Sequence, residues 1–194
     1  MRSQTQWLIN PNCKYSYSFL FWRMLHTYQT EFLTAEIPER KPLLANDEHK
    51  QIVIDSMKWL TEQKRCIINA FVIMPNHIHL LWKIADGYKR DEVLETLFSF
   101  TGFAFLLSLK QKPNDLNLYT LTKADKTLDF WDRNPKIKEC TSMDYYLQKL
   151  EYIHLNPCHP KWELAAVPKR YPWSSAAFYE LQDRRYSWLT PYTD

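Results

Sequence analysis

Four stretches of the chain have the apolar content and alternation of β-strands. Residues 28–37 are rich in β-formers and end before prolines, and residues 66–74 are a short, mostly apolar run. Residues 77–84 alternate and return beside 66–74 through a proline–asparagine turn, which predicts a hairpin. Residues 127–131 also alternate and are the predicted fourth strand. Each of these stretches has the length of an ordinary strand.

Helical periodicity fills the intervals between these strands. Residues 47–64 and 91–109 repeat apolar side chains every three or four positions, which is typical of amphipathic helices. The order of elements predicts an α+β fold, an antiparallel sheet with both helices on one face and the other face free for a ligand. Residues 141–144 have the spacing of a capping box, and we expect a third helix from there until Pro157 stops it.

The centre of the predicted hairpin carries two histidines, His77 and His79. Because side chains alternate along a strand, both imidazoles project from one face while Ile78, Leu80 and Trp82 project from the other. Neutral imidazole is the commonest side-chain ligand for divalent metals, so the pair predicts a metal platform that lacks a third ligand. Two histidines on a half-exposed strand can equally be solvated.

The third predicted helix carries Tyr152 and Asn156 four residues apart, and therefore on one face. If that face meets the histidine strand, Asn156 brings an amide oxygen to a metal held by His77 and His79, and the phenol arrives beside it. An open site of this kind suits Mg²⁺ or Mn²⁺. The alternatives are an Asn156 that only caps the helix and a Tyr152 that only packs, with Tyr145 as the competing candidate on nearly the same face.

We interpret two further features, His154 and residues 173–175, as structural rather than catalytic. His154 is expected to pack near the core, and residues 173–175 are expected to anchor the C-terminal segment.

Composition narrows the class of protein. A chain of 194 residues with 45% apolar and 15% aromatic residues is long enough for one globular domain with a sizeable core. Only two glycines are present, which excludes a glycine-rich phosphate loop, so no nucleotide cofactor is expected. The four cysteines form no Cys-x-x-Cys pair, and no signal peptide or membrane span is recognised. These features favour a reduced, cytoplasmic protein with no membrane partner.

Charge is spread unevenly along the chain. The net charge is only +3, but residues 1–25 and 110–138 are locally basic and interleaved with aromatic residues. Such segments suit a phosphate backbone with unstacked bases, although solvated lysines look the same. The candidate backbone contacts are Lys136, Lys138, Lys169 and Arg170.

Three motifs together carry a family resemblance: VIMPNHIHLL at residues 72–81, YIHLNP at 152–157 and YPWSS at 171–175. The chain resembles the single-tyrosine transposases of the HUH endonuclease superfamily, in the REP-associated branch. The resemblance implies a sheet-and-helix domain related to ferredoxin-like folds, with the tyrosine on a C-terminal helix. It also implies a metal held by His77 and His79, completed by Asn156, and a Tyr152 nucleophile. Residues after Pro157 and after Trp131 depart from the family pattern.

The sequence-based hypothesis is a metal-dependent endonuclease and strand transferase acting on single-stranded or hairpin DNA through a 5′-phosphotyrosine intermediate. The transposase-like domain is assigned to residues 27–180, between an N-terminal extension at 1–26 and a C-terminal tail at 181–194. The alternative is a domesticated protein that grips a DNA hairpin without cutting it. A relaxase or replication initiator is disfavoured because the chain is short, and a homodimer and an RNA substrate are left open.

Overall fold

The computed structural model describes residues 30–111, 119 and 130–192, so the predicted extension at residues 1–26 lies outside the described residues. The sheet has four strands: β1 (Thr30–Glu36), β2 (Cys66–Met74), β3 (His77–Ile84) and β4 (Lys136–Glu139). The helices are α1 (Asp47–Glu62), α2 (Arg90–Lys110), α3 (Met143–Leu155) and α4 (Ala176–Leu181). The spatial order β2-β3-β1-β4 is antiparallel throughout. With the element order βαββαβ, this arrangement confirms the expected α+β, ferredoxin-like fold.

The first face of the sheet is covered by α1 and α2. The side chains of Ile78, Leu80 and Trp82 point to this face and are fully buried in one apolar core with residues of both helices. The helix α1 begins where the sequence predicts, because the side chain of Asn46 accepts a hydrogen bond from the amide of Glu48 (2.9 Å). Burial of the even-numbered positions of β3 fixes the register of this strand and leaves its histidines on the opposite face.

The helix α2 is long and apolar enough to cross a membrane by length and composition alone. It nevertheless buries Leu97, Phe105 and Leu109 in the core beside α1, as the central helix of a globular domain does. Its other side leaves Phe100 and Phe103 exposed. The apolar character of α2 therefore comes from both sides of the helix.

The fourth strand is not where the sequence pattern placed it. Of the predicted residues 127–131, those at 127–129 lie outside the described residues, while Phe130 and Trp131 are buried and belong to no strand. Trp131 instead packs in the core and donates its indole N–H to the hydroxyl of Thr101 (2.8 Å). The fourth strand is β4, which pairs with β1 on the side away from β3 and whose single apolar residue is Ile137. An edge strand with charged flanks is typical of a sheet that avoids pairing with other chains, and its alternation is hard to recognise.

The second face of the sheet is covered by α3, so the expectation that the histidine face is free was wrong. Tyr146, Leu150 and Ile153 of α3 are buried there against residues of three strands. The sheet side of this second core consists of Phe32, Ala70, Val72, Met74 and Leu81. The histidine face is apolar along most of its length, and the apolar side of α3 covers it.

Residues 173–175 anchor the C-terminal segment to the outer edge of β2, as expected. The amide of Ile73 donates to the carbonyl of Trp173 (2.9 Å), and the amide of Ser175 donates to the carbonyl of Phe71 (3.0 Å). The described part of the predicted C-terminal tail also packs on this domain, since the amide of Thr190 donates to the carbonyl of Ile68 (3.1 Å). These bonds satisfy an otherwise unpaired strand edge.

The hydroxyl of Ser175 joins this edge to α3. Its oxygen accepts from the amide of Phe71 (3.0 Å), lies 3.2 Å from the carbonyl of the same residue and lies 2.9 Å from Nε2 of His154. One hydroxyl hydrogen and two lone pairs satisfy all three contacts when a neutral His154 carries its hydrogen on Nε2. Burial lowers the pKa of His154 to about 3, which keeps the ring neutral.

Replacement of Ser175 by alanine should destabilise the domain by about 2 to 4 kcal/mol, because it leaves buried groups of Phe71 and His154 without partners. Chemical denaturation of the variant and the wild type would measure this loss. Ser187→Ala, at an exposed position near the same segment, is the matched control and should change stability by no more than about 0.5 kcal/mol. Equal stabilities for wild type and Ser175→Ala would contradict this role.

Candidate active site

The two histidines lie side by side on the face of β3 that α3 covers. Their ring centroids are 4.7 Å apart, His77 is partly exposed and His79 is only 4% exposed. The ring of Phe32 on β1 stacks on that of His79 with centroids 5.3 Å apart. His77 thus stands at the mouth of the site and His79 at its floor.

Each imidazole has one nitrogen fixed by a neighbour. Nδ1 of His77 lies 2.7 Å from Oδ1 of Asn76, and Nδ1 of His79 lies 2.8 Å from the hydroxyl oxygen of Thr34. Both oxygens can accept a hydrogen from Nδ1, which leaves the lone pair on Nε2. Nε2 of His79 is buried and has no hydrogen-bond partner among the described residues. A buried nitrogen with a free lone pair is costly unless a ligand completes it.

The electrostatics keep both rings neutral. Burial lowers the pKa of His77 to about 4, against a smaller opposing effect of Glu36. Burial, together with the charges of His77, Lys149 and Lys136, lowers the pKa of His79 well below its ordinary value. Near neutral pH, both imidazoles therefore present lone pairs rather than positive charges.

Tyr152 lies directly against this pair, within one chain. Its ring centroid is 5.1 Å from that of His79, nearly perpendicular, and 5.9 Å from that of Phe32. Burial raises the pKa of Tyr152, a side-chain hydrogen bond with Asn156 lowers it, and Glu36 raises it. The phenol is thus protonated at neutral pH, but a neighbouring amide already favours its deprotonated form.

The local structure of α3 explains this presentation. The hydroxyl of Ser142 accepts from the amide of Tyr145 (3.2 Å), so the cap is Ser142, one residue after the predicted Thr141. The α-helix ends at Leu155, just before Pro157, as predicted, although the proline does not push its predecessor out of helical geometry. Asn156 is helical (φ −52°, ψ −46°), and the chain continues as the 3₁₀ turn Asn156–Cys158 before His159 becomes extended. Helical geometry through Asn156 keeps its amide one turn beyond Tyr152.

Asn156 is 8% exposed and bonded to Tyr152. The structure therefore brings three of the four predicted site residues into direct contact, and it brings Asn156 to the tyrosine. Within residues 30–111 and 130–192, no group of three His, Cys, Asp or Glu side chains could hold a metal. Among the described residues, a third ligand would therefore have to be of another type, and an amide oxygen is the role that the sequence predicts for Asn156.

The predicted DNA contacts fall in two places. Lys138 pairs with Phe32 and Lys136 with Thr34 across β1 and β4, so both lysines share the face of the site. Lys169 instead forms an ion pair with Glu180 of α4, with 4.0 Å between Nζ and Oε2. Neither Lys169 nor Arg170 is among the charges that shift the pKa values of the two histidines. Of the four predicted contacts, Lys136 and Lys138 lie on the histidine face of the sheet, and Lys136 is also among the charges that lower the histidine pKa values.

Sequence reasoning missed the contribution of β1 to the site. Phe32, Thr34 and Glu36 alternate along that strand, and Glu36 pairs directly with His77 and Thr34 with His79. The alternation was visible, but the pairing of β1 with β3 depends on the register of the whole sheet. It also missed Trp162, whose ring lies 5.7 Å from that of His77.

The fold is shared with a transposase of known structure. A REP-associated tyrosine transposase, solved bound to a REP hairpin, matches with a TM-score of 0.57 and 18% sequence identity over 79% of this chain and 80% of that chain. A candidate transposase from Deinococcus radiodurans R1 matches with a TM-score of 0.42 and 17% identity over 67% of this chain and 92% of that chain. No family model and no curated protein matches the chain. The first match confirms the fold that the resemblance implied; at this identity it shows the fold alone.

Replacement of Asn156 by alanine should raise the pKa of Tyr152, because the variant loses the hydrogen bond that stabilises the phenolate. Titration of ¹³C-labelled tyrosine by NMR would measure the shift, with Tyr152→Phe identifying the resonance. Asn134→Ala, at an exposed position, is the control and should leave the titration unchanged. An unchanged or lower pKa in Asn156→Ala would contradict the contact.

Proposed function

We propose that this chain is a metal-dependent endonuclease and strand transferase for single-stranded DNA, acting at hairpin-associated sites in the manner of a transposase. The observation that carries the proposal is the juxtaposition of Tyr152 with His79, whose buried Nε2 has no partner among the described residues. A nucleophile beside an open ligand position is an arrangement that suits metal-assisted phosphodiester transfer.

The residues present fit a divalent cation. His77 and His79 would hold it through Nε2, since Nδ1 of each is taken by Asn76 and Thr34. Asn156 is the proposed third ligand, and water or phosphate oxygens would take the other positions. Mg²⁺ or Mn²⁺ fits so open a site, and when bound it would withdraw charge from the phosphate that reacts.

The residues of the chain account for the remaining chemistry. The phenol oxygen of Tyr152 would attack the phosphorus, forming the Tyr–O–P bond while the bond from phosphorus to the 3′-oxygen breaks. The phenol proton leaves to solvent and the departing 3′-oxygen takes up a proton, so the strand ends in a free hydroxyl. The amide of Asn156 favours loss of the phenol proton. Because the phosphodiester energy is kept in the phosphotyrosine, a second hydroxyl can reverse the step without ATP.

Three observations support DNA as the substrate. The solved transposase of the same fold is bound to a REP hairpin. Lys136 and Lys138 line the edge of the site, and Lys138, which has no ion-pair partner among the described residues, can neutralise a phosphate backbone. The ring of Trp162 beside His77 offers a stacking surface to an unpaired base. Binding of a hairpin without cutting remains the second candidate function, and the adduct assay below decides between the two.

Incubation of the wild type with a labelled hairpin oligonucleotide and Mn²⁺ should give a denaturant-stable protein–DNA adduct. Tyr152→Phe should give none, because it lacks the oxygen that forms the covalent bond. Tyr145→Phe, on nearly the same helix face, is the matched control and should retain the adduct. Gel electrophoresis under denaturing conditions measures both. Tight binding of the oligonucleotide with no adduct from the wild type would favour a binding module instead.

Metal binding can be tested without DNA by calorimetric titration with Mn²⁺. His79→Ala should weaken binding on the order of 100-fold or more, and Thr34→Val, which removes the acceptor that orients His79, about 10- to 100-fold. Tyr152→Phe should bind Mn²⁺ as the wild type does, because the phenol is not a proposed ligand. Unchanged affinity in His79→Ala would show that the histidines hold no metal.

A further inference from the structure

A lysine that has no role in the proposed reaction lies beside the nucleophile. Lys149 is one turn before Tyr152 on α3, and its Nζ lies 5.6 Å from the ring centroid of Tyr152. The same Nζ is 5.0 Å from the rings of Phe32 and Tyr145. Three aromatic faces attract one ammonium group and restrict where it can move, although it remains partly exposed.

The neighbouring charge is also positive. Lys138 shares the face of Phe32 by the β1–β4 register, and it acts with burial to lower the pKa of Lys149. Lys136 on the same strand is compensated by Glu36, 3.4 Å away. No carboxylate within the described ranges forms an ion pair with Lys138 or Lys149. Two uncompensated cations therefore meet at the edge of the site.

Such a cluster costs free energy in the unbound protein, since like charges at short distance repel each other. The cost is recovered when an anion binds between them. Among the described residues no carboxylate is paired with either lysine, which leaves both charges available to an anion from outside the chain. A phosphodiester has the charge and the oxygen acceptors that two ammonium groups require.

We propose that Lys149 and Lys138 together bind a backbone phosphate of single-stranded DNA next to the one that Tyr152 attacks, so that the strand runs from the histidine pair across Tyr152 to the edge at β4. This inference rests on the proposed function for the identity of the strand. It assigns Lys149 a binding and positioning role: the lysine holds a neighbouring phosphate, and it does not form or break a bond.

The test is the salt dependence of binding, measured by fluorescence anisotropy with a labelled single-stranded oligonucleotide in the Tyr152→Phe background and without divalent metal. Loss of one phosphate contact should reduce the slope of log affinity against log salt by about 0.7. We expect this reduction in Lys149→Gln and in Lys138→Gln, and a retained slope in Lys149→Arg. Lys58→Gln, on α1 across the sheet, is the matched control and should behave as the parent protein.

A second measurement locates the contact. A single neutral methylphosphonate is placed at successive positions of the oligonucleotide. At one position it should weaken binding by the parent protein, and at that position it should not weaken binding by Lys149→Gln any further. The proposal is overturned if Lys149→Gln leaves the slope unchanged, or if Lys58→Gln reduces it equally. The two hypotheses can fail separately. If the wild type forms the adduct but Lys149→Gln does not change the slope, only the role of Lys149 is contradicted. If Lys149→Gln changes the slope but the wild type forms no adduct, only the cutting reaction is contradicted.

Discussion

The packing of α3 on the histidine face of the sheet is the interaction on which the site depends. Without it, His79 would be a half-exposed strand residue with ordinary protonation behaviour. Covered by Tyr152 and stacked on Phe32, it becomes 4% exposed, stays neutral and keeps a nitrogen without a partner. Burial therefore prepares the imidazole as a ligand and places the phenol next to it in one step.

The residues of this site differ in how deeply they are buried, and this difference has a chemical consequence. His77 stands at the mouth, and Lys149 and Lys138 stand at the edge beside β4, whereas His79 and Asn156 lie below them. Single-stranded DNA could contact His77 and the two lysines without any unfolding of the domain. Groups that need a low dielectric are inside, and groups that attract a polyanion remain in contact with solvent, where desolvation costs little.

Local patterns in the sequence predicted those elements whose signals are local. The strands β2 and β3 and the helix α1 were recognised with nearly the observed bounds, because alternation, periodicity and an asparagine cap lie within each segment. The strand β4 was misplaced because Ile137 is its only apolar residue. The contribution of Thr34 and Glu36 to the site depends on the register between β1 and β3, and no single segment of the sequence contains that information. That Tyr152 and His79 would meet was a conditional prediction until the path of α3 was known.

The connections of α3 explain why it crosses the sheet where it does. The chain enters the helix from β4, at one edge of the sheet, and soon afterwards residues 173–175 pair with the outer edge of β2, at the opposite edge. Because β1 and β3 lie between those edges, the segment has to pass over both strands, and the apolar residues of the second core fix it on the histidine face. The bond between His154 and Ser175 then ties the end of the helix to β2. Tyr152 is held over His79 within one chain by pairing at both edges of the sheet, so each copy carries a complete set of the proposed catalytic groups.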